Sequence, residues 1–225
     1  MAKKLKTQKS KSVKYKAVIF DFDDTLVESR ELKWAQHKVV AKKFYNIDLS
    51  DEDLKKHWGK PLSELVRILY KDSDTVENMR EVLFSTRQDF MKTVYPEAPT
   101  VVSKILDSGI EIGVLSAATN YFIVDDLTRM GFPVERFISV QGDEDTLKHK
   151  PHGDVFIPMF DKLATKGIDK KYIVYVGDSL DDLEASLSAG IDFIAITTGL
   201  YSREEFLKAG AKVVLSDIRE VLDII

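Results

Sequence analysis

The sequence predicts an α/β fold, a doubly wound and mostly parallel sheet carrying one all-helical insertion. Three observations predict it. Short, continuously apolar runs rich in β-branched residues recur along the chain, as parallel strands covered on both faces require. Stretches of helical period that stop at a glycine fill the intervals between those runs. One long segment, residues 29–95, has helical periodicity and no convincing strand.

In chain order, residues 15–22 read as the first buried strand and 110–116 (IEIGVLS) as the second. Residues 137–140 read as a short third strand, 172–176 (YIVYV) as a fourth, 191–197 (IDFIAIT) as a fifth and 211–215 as a weak sixth. Val101, Val102, Ile105 and Leu106 share a helical face before Gly109. Phe122, Ile123, Leu127 and Met130 do so before Gly131, and Val155, Phe156, Met159, Phe160 and Leu163 before Gly167. Leu183, Ala185, Leu187 and Ala189 precede Gly190. In the insertion the expected inner faces are Leu32, Ala35, Val39 and Val40, then Leu62, Leu65, Val66 and Leu69, then Met79, Val82, Leu83 and Thr86. Pro96 and Pro99 break the helical pattern and end the segment. The expected layout is therefore a basic tail over residues 1–14, an α/β core over 15–28 and 96–225, and a helical cap over 29–95.

With 225 residues, 44% of them hydrophobic, the chain can bury a full core. It has no cysteine, which excludes disulfides and thiolate metal sites. It has no apolar run near 18 residues and no apolar stretch behind its basic start, so neither a membrane span nor a secretory signal is expected, and the cytoplasm is the expected location. The net charge of −4 is uneven: residues 1–16 carry seven lysines and no acid, which leaves −11 for the remainder. An acidic body argues against a nucleic-acid binder, and only Tyr15 offers a stacking ring in the tail. The tail reads as a solubilising extension whose removal leaves catalysis unchanged, with an electrostatic contact to RNA, anionic lipid or an acidic partner as the alternative.

In a doubly wound sheet, ligands bind beyond the carboxyl ends of the strands. Asp21, Asp23, Asp24 and Thr25 follow the first expected strand, and Ser116 and Ala117 stand at the end of the second. Lys150 lies in the loop after the third, and Gly177, Asp178, Ser179, Asp181 and Asp182 follow the fourth. Asp21 and Asp23 are two apart, so extended backbone lets both point the same way. A carboxylate nucleophile splits the slow hydrolysis of a phosphate monoester into two steps through an aspartyl-phosphate, and a second carboxylate carries the proton. Crowded like charges raise one carboxylate's pKa, and Asp23 is expected to be that proton carrier. Crowded acids and a dianionic substrate call for a cation. Hard oxygen ligands without His or Cys indicate Mg²⁺. His149 and His152 flank Lys150, but without an HExxH or Cys/His pattern they are not expected to bind metal.

These residues resemble the haloacid dehalogenase (HAD) superfamily of phosphohydrolases over roughly residues 16–215. Four motifs stand in order, as AVIFDFDDT, IGVLSA, Lys150-Pro151 and GDSLDD. The resemblance implies a Rossmann-like core. It implies Asp21 as nucleophile and metal ligand, and Asp23 as general acid/base with its backbone carbonyl on Mg²⁺. Asp178 is implied as a further metal ligand and Asp182 as the second acid of the last motif, acting through water or by holding Lys150. Asp181 competes for that last role. Ser116 and the Ala117 N–H are implied on the phosphoryl oxygens, with Lys150 neutralising charge and Thr25 supporting the phosphate-binding loop. Asp24 stands where many relatives have glycine, and Ala117 where many have asparagine.

The helical insertion resembles a C1 cap of the phosphoglycolate phosphatase-like branch, with hinges near Glu28-Ser29 and over 95–99. Lys60 and Arg67 are the expected contacts to an anionic substrate tail. The expected activity is Mg²⁺-dependent hydrolysis of a small phosphorylated metabolite: a phosphoglycolate-like acid, a sugar phosphate or a nucleoside monophosphate. A phosphomutase of the same fold is the nearest alternative, and a non-catalytic scaffold the more distant one. The chain is expected to act as a monomer or homodimer.

Overall fold

The computed structural model describes residues 14–225. The chain enters at β1 (Ala17–Phe20), makes the short β2 (Val27–Glu28), and runs through α1 (Arg30–Tyr45), α2 (Asp51–His57), α3 (Leu62–Leu69) and α4 (Val76–Ser85). It returns through β3 (Thr93–Val94) to α5 (Ala98–Asp107), β4 (Glu111–Leu115), α6 (Asn120–Arg129) and β5 (Ser139–Gln141). It continues through α7 (Ile157–Thr165), β6 (Ile173–Gly177), α8 (Leu180–Ala189), β7 (Asp192–Ile196), α9 (Arg203–Lys208) and β8 (Val214–Leu215). Six strands form one sheet in the order β5-β4-β1-β6-β7-β8, and every pairing in it is parallel.

The sheet has apolar packing on both faces, which is why its strands are apolar at consecutive positions. Val18 and Phe20 of β1 join one core with Val101 and Ile105 of α5 and Ile123 and Leu127 of α6. Ala17 and Ile19 join the other, with Met159 and Leu163 of α7, Leu183 of α8 and Phe206 of α9. The strands are shorter than their apolar runs: β1 keeps four residues of 15–22 and β8 two of 211–215. Tyr15 and Phe22 are buried beside β1 without extending its ladder. Strand length is set by where the neighbouring strands offer backbone partners, and hydrophobicity does not report that.

From β1 the chain winds outward one way through β4 and β5, then the other way through β6, β7 and β8. The crevice at the carboxyl end of β1, between β4 and β6, is therefore the switch point at which such sheets bind ligands.

The insertion packs a third core, built on Trp34, Val40, Leu54, Leu65, Val66, Leu69, Tyr70, Met79 and Leu83. Its first helix faces differently from the sequence expectation. Ala35 and Val39 are exposed, whereas Gln36 and His37 are buried beside Trp34, Val40 and Ala41. The inner face holds two hydrogen-bonding residues, so counting apolar side chains rotates the helix wrongly. The insertion also ends in a strand: β3 pairs antiparallel with β2 at the junction with the core. Pro99 sits in the first turn of α5, where a missing N–H costs nothing. The basic tail, apart from Lys14, lies outside the described residues. Among the described residues, no helix is long and apolar enough to cross a membrane.

Candidate active site

The loops after β1, β4, β5 and β6 meet over the switch point. The Asp21 N–H donates to Val176 O at 2.8 Å, tying the end of β1 to β6. Lys150 brings its Nζ to 2.7 Å from Asp21 Oδ1, 2.6 Å from Asp182 Oδ1 and 3.2 Å from the Tyr175 hydroxyl. One carboxylate oxygen each from Asp21, Asp178 and Asp182 lies within 4.8 Å of the other two. A cavity opens above them. Asp21, Asp23, Ser116, Ala117, Lys150, Asp178, Asp181 and Asp182 line it from the core, while Lys33, Gln36, His37, Trp58 and Lys60 line it from the cap.

The buried acids press on one another. Burial raises Asp21, Lys150 draws it down, and Asp182 and Asp23 push it up again, leaving its pKa at about 7. Burial, reinforced by Asp21 and Asp182, drives Asp178 well above the ordinary carboxylate range. Burial opposes the charge on Lys150, but Asp182 and Asp21 outweigh it and hold the ammonium protonated. Asp23 reverses the sequence expectation. Burial raises it, yet Lys33 at 2.5 Å and Lys92 at 2.8 Å overcome that and hold it below the usual carboxylate range. Both lysines arrive from the insertion side, Lys33 on α1 and Lys92 just before β3. No strand-end motif contains them.

Of the remaining expected residues, Ser116 and Ala117 line the cavity. Thr25, expected to support the phosphate-binding loop, is fully buried and absent from the lining; its hydroxyl donates to Asp178 Oδ1 at 3.2 Å. Its short side chain ends inside the loop and holds an acid in place. Asp182, rather than Asp181, holds Lys150. Asp182 Oδ1 accepts from Lys150 and Tyr175, and Oδ2 accepts the N–H and hydroxyl of Ser179 in a capping box that opens α8. These four bonds use its two oxygens, and the bond to Lys150 is one of the two arrangements expected for the second acid of the last motif. Lys60 lines the cavity, paired with Glu64 at 2.5 Å. Arg67 does not: it lies on the outer face of α3, exposed, bound to Asp72 at 2.7 Å. It falls on the helix side opposite the buried Leu65, Val66 and Leu69.

Asp24 is accounted for. It has a left-handed backbone (φ 56°), and its buried Oδ1 accepts the N–H groups of Ser29 at 3.1 Å and Arg30 at 3.0 Å. The Ser29 side chain makes no cap of its own, so Asp24 caps α1 from the loop after β1. Tyr175 and Gly199 are contributors that motif reading missed. The Tyr175 hydroxyl donates to Asp182 Oδ1 at 3.1 Å and lies 3.3 Å from Leu115 O. A tyrosine in a buried aliphatic strand needs a polar partner, and that signal was present in YIVYV. A Cβ at Gly199 would collide with Asp178 Oδ2.

Residues 18–196 match the family model described as haloacid dehalogenase-like hydrolase. The chain belongs to the haloacid dehalogenase-like hydrolases. A phosphoglycolate phosphatase of Yersinia pseudotuberculosis is 27% identical over 225 residues, covering 93% of this chain and 94% of that protein. The solved structure of a predicted phosphoglycolate phosphatase from Haemophilus somnus has a TM-score of 0.80 at 20% identity, over 95% of this chain and 99% of that one. A hydrolase from Pseudomonas syringae has a TM-score of 0.77 at 18% identity, over 92% and 96% of the two chains. At such identities the structural likeness shows a shared Rossmann-like α/β fold with a mostly parallel sheet.

Proposed function

We propose that this chain is a Mg²⁺-dependent phosphatase that hydrolyses a small phosphorylated metabolite by transferring the phosphoryl group to Asp21. The observation that carries the reading is the set of Asp21, Lys150 and Asp178 around one crevice, with Asp23 on its cap side. Three acids cluster there and Lys150 pairs with two of them, Asp21 and Asp182, a negative excess that suits a hard divalent cation. Asp21 and Asp178, with the Asp23 carbonyl, would hold Mg²⁺. When bound, it supplies positive charge that offsets their repulsion and that of the substrate phosphate.

The rest follows from the residues themselves. The Lys150 ammonium holds Asp21 Oδ1, orienting the carboxylate and lowering the repulsion an incoming phosphate meets. Ser116 and the Ala117 N–H bind the phosphoryl oxygens from the end of β4. Attack by Asp21 forms the phosphorus–oxygen bond to the enzyme and breaks the bond to the leaving group, which takes a proton from Asp23. Asp23, now ionised, takes a proton from the water that hydrolyses the aspartyl-phosphate. The ionised Asp23 between Lys33 and Lys92 is the form this second step uses. The proton it gains serves the next leaving group, the negative charge of the incoming substrate phosphate opposing the pull of Lys33 and Lys92 on Asp23.

Purified protein should release phosphate from p-nitrophenyl phosphate with Mg²⁺, and Asp21→Asn should abolish turnover while leaving the fold intact by circular dichroism. Absence of turnover across a broad panel of phosphate esters would leave the scaffold reading. Conversion of β-glucose 1-phosphate to the 6-phosphate without phosphate release would identify a mutase.

A further inference from the structure

Resting on the phosphatase reading, the walls of the cavity specify the leaving group. We propose that the preferred substrate is a phosphate monoester whose leaving group is uncharged and has an aromatic or otherwise apolar body, and not one bearing a second anionic group.

The cap side of the cavity carries four cations, and each already has a carboxylate partner. Lys33 and Lys92 both pair with Asp23. Lys60 pairs with Glu64 at 2.5 Å. Arg87 pairs with Asp125 at 2.8 Å and Asp126 at 2.7 Å. A carboxylate or second phosphate on the substrate would have to share these cations with the carboxylates they already hold, which lowers the attraction it meets. The uncommitted surface is apolar: Trp58, Leu62, Phe84, Phe90, Met91 and Phe122 line the same cavity. Phe84 and Phe122 face each other across the junction of cap and core, with ring centroids 4.7 Å apart. Such a wall gains nothing from a small charged acid and gains burial from a ring or an aliphatic body.

Between the apolar wall and the acids, Gln36 and His37 offer uncharged groups for recognition. Gln36 spends its amide N–H groups on Leu83 O at 2.7 Å and Thr86 Oγ1 at 3.1 Å, and its Oε1 has no partner among the described residues. His37 lies next to it. The buried Tyr70 hydroxyl meets His37 Nδ1 at 2.8 Å and has no other partner among the described residues. A buried hydroxyl proton requires an acceptor, so Tyr70 donates to Nδ1 and the imidazole proton resides on Nε2. Burial, with Lys33 nearby, holds this histidine's pKa down at about 3, so the ring is neutral. Gln36 and His37 both line the cavity. They offer one neutral acceptor and one neutral donor, which suits a hydroxyl- or amide-bearing body.

The test compares kcat/KM with Mg²⁺ for 2-phenylethyl phosphate, ethyl phosphate, phosphoglycolate and pyrophosphate, with p-nitrophenyl phosphate as the check on phosphatase activity. The phenylethyl ester should exceed the ethyl ester by at least about tenfold, the worth of burying part of a ring, and should exceed both anionic substrates. In Trp58→Ala and in Phe84→Ala the phenylethyl-to-ethyl ratio should fall by about tenfold. Phosphoglycolate or pyrophosphate matching the phenylethyl ester overturns the inference while leaving the phosphatase reading intact. So does a phenylethyl-to-ethyl ratio near one in the wild-type protein, a measurement that needs no variant to fold. No turnover of any of the five overturns both.

Discussion

Replacing Asp24 tests whether the unusual acid of the catalytic loop is the cap of α1. Asp24 contributes two separable things: a residue that tolerates φ 56°, and an oxygen that accepts the Ser29 and Arg30 N–H groups in a buried setting. Alanine loses both. Loss of a helix cap costs about 1–2 kcal/mol, and forcing alanine into the left-handed region costs about 1–2 kcal/mol more. Asp24→Ala should therefore lose about 2–4 kcal/mol, roughly 5–15 °C in Tm for a chain of this size. Asp24→Gly tolerates the backbone but leaves the Ser29 and Arg30 N–H groups without their acceptor, a loss of about 1–2 kcal/mol. Asp24→Asn keeps both an acceptor and left-handed tolerance, and should stay within about 0.5 kcal/mol of wild type. Burial raises the Asp24 carboxyl, so the native state holds its proton more tightly than the unfolded state does. Its charge therefore subtracts stability as pH rises through that range, and the wild type should gain on the Asp24→Asn variant toward acid pH. Thermal unfolding and amide exchange at Ser29 and Arg30 read these outcomes. If the glycine variant were as stable and as protected at Ser29 as the wild type, the capping argument would be wrong.

The other predictions concern the site. Gly199→Ala puts a Cβ against Asp178 Oδ2, so Asp178 must move, and the Mg²⁺ concentration for half-maximal activity should rise by about 10–100-fold; an unchanged Mg²⁺ titration would refute it. Tyr175→Phe removes one of the three contacts on the Lys150 ammonium and should lower kcat by about tenfold with about 1 kcal/mol lost in stability. Metal-free protein should lose stability as pH rises from about 4 to about 7, because Asp21 goes from its ordinary 3.8 to about 7 on folding and must ionise against burial. The bound is about 4 kcal/mol for such a shift. Denaturation at pH 5 and pH 8 measures it, and added Mg²⁺ should recover the loss at pH 8. Lys33→Met should release Asp23 from its depressed range and lengthen the acid limb of the kcat profile toward higher pH, whereas an unmoved profile would mean that Lys92 alone holds it.

The acids, hydroxyl and lysine of the catalytic loops were legible because each follows an apolar run, and a doubly wound sheet gathers the ends of such runs at one edge. Periodicity likewise separated the helical insertion from the sheet, since periods of 3.6 and continuous apolar runs are local properties. Other features were set by partners distant along the chain. Lys150 sits 129 residues from Asp21 and 32 from Asp182, and only their meeting made Asp182 its holder and left Asp181 aside. Thr25 reads as a support of its own loop, and only the fold shows that its hydroxyl does so by holding Asp178, 153 residues away. The inner face of α1 departs from the apolar count because Gln36 and His37 are stabilised by Leu83, Thr86 and Tyr70 on or beside other cap helices. The same is true of Asp23. Along the chain it is an acid crowded by acids; in the fold it is an acid between two lysines. The sheet, the insertion and the set of groups that reach the crevice follow from local pattern, so the order of amino acids was enough to specify them. Which charges are paired, which acid stays ionised and which wall is left to meet a leaving group emerged only with the folded arrangement, because electrostatic energy depends on distance through space.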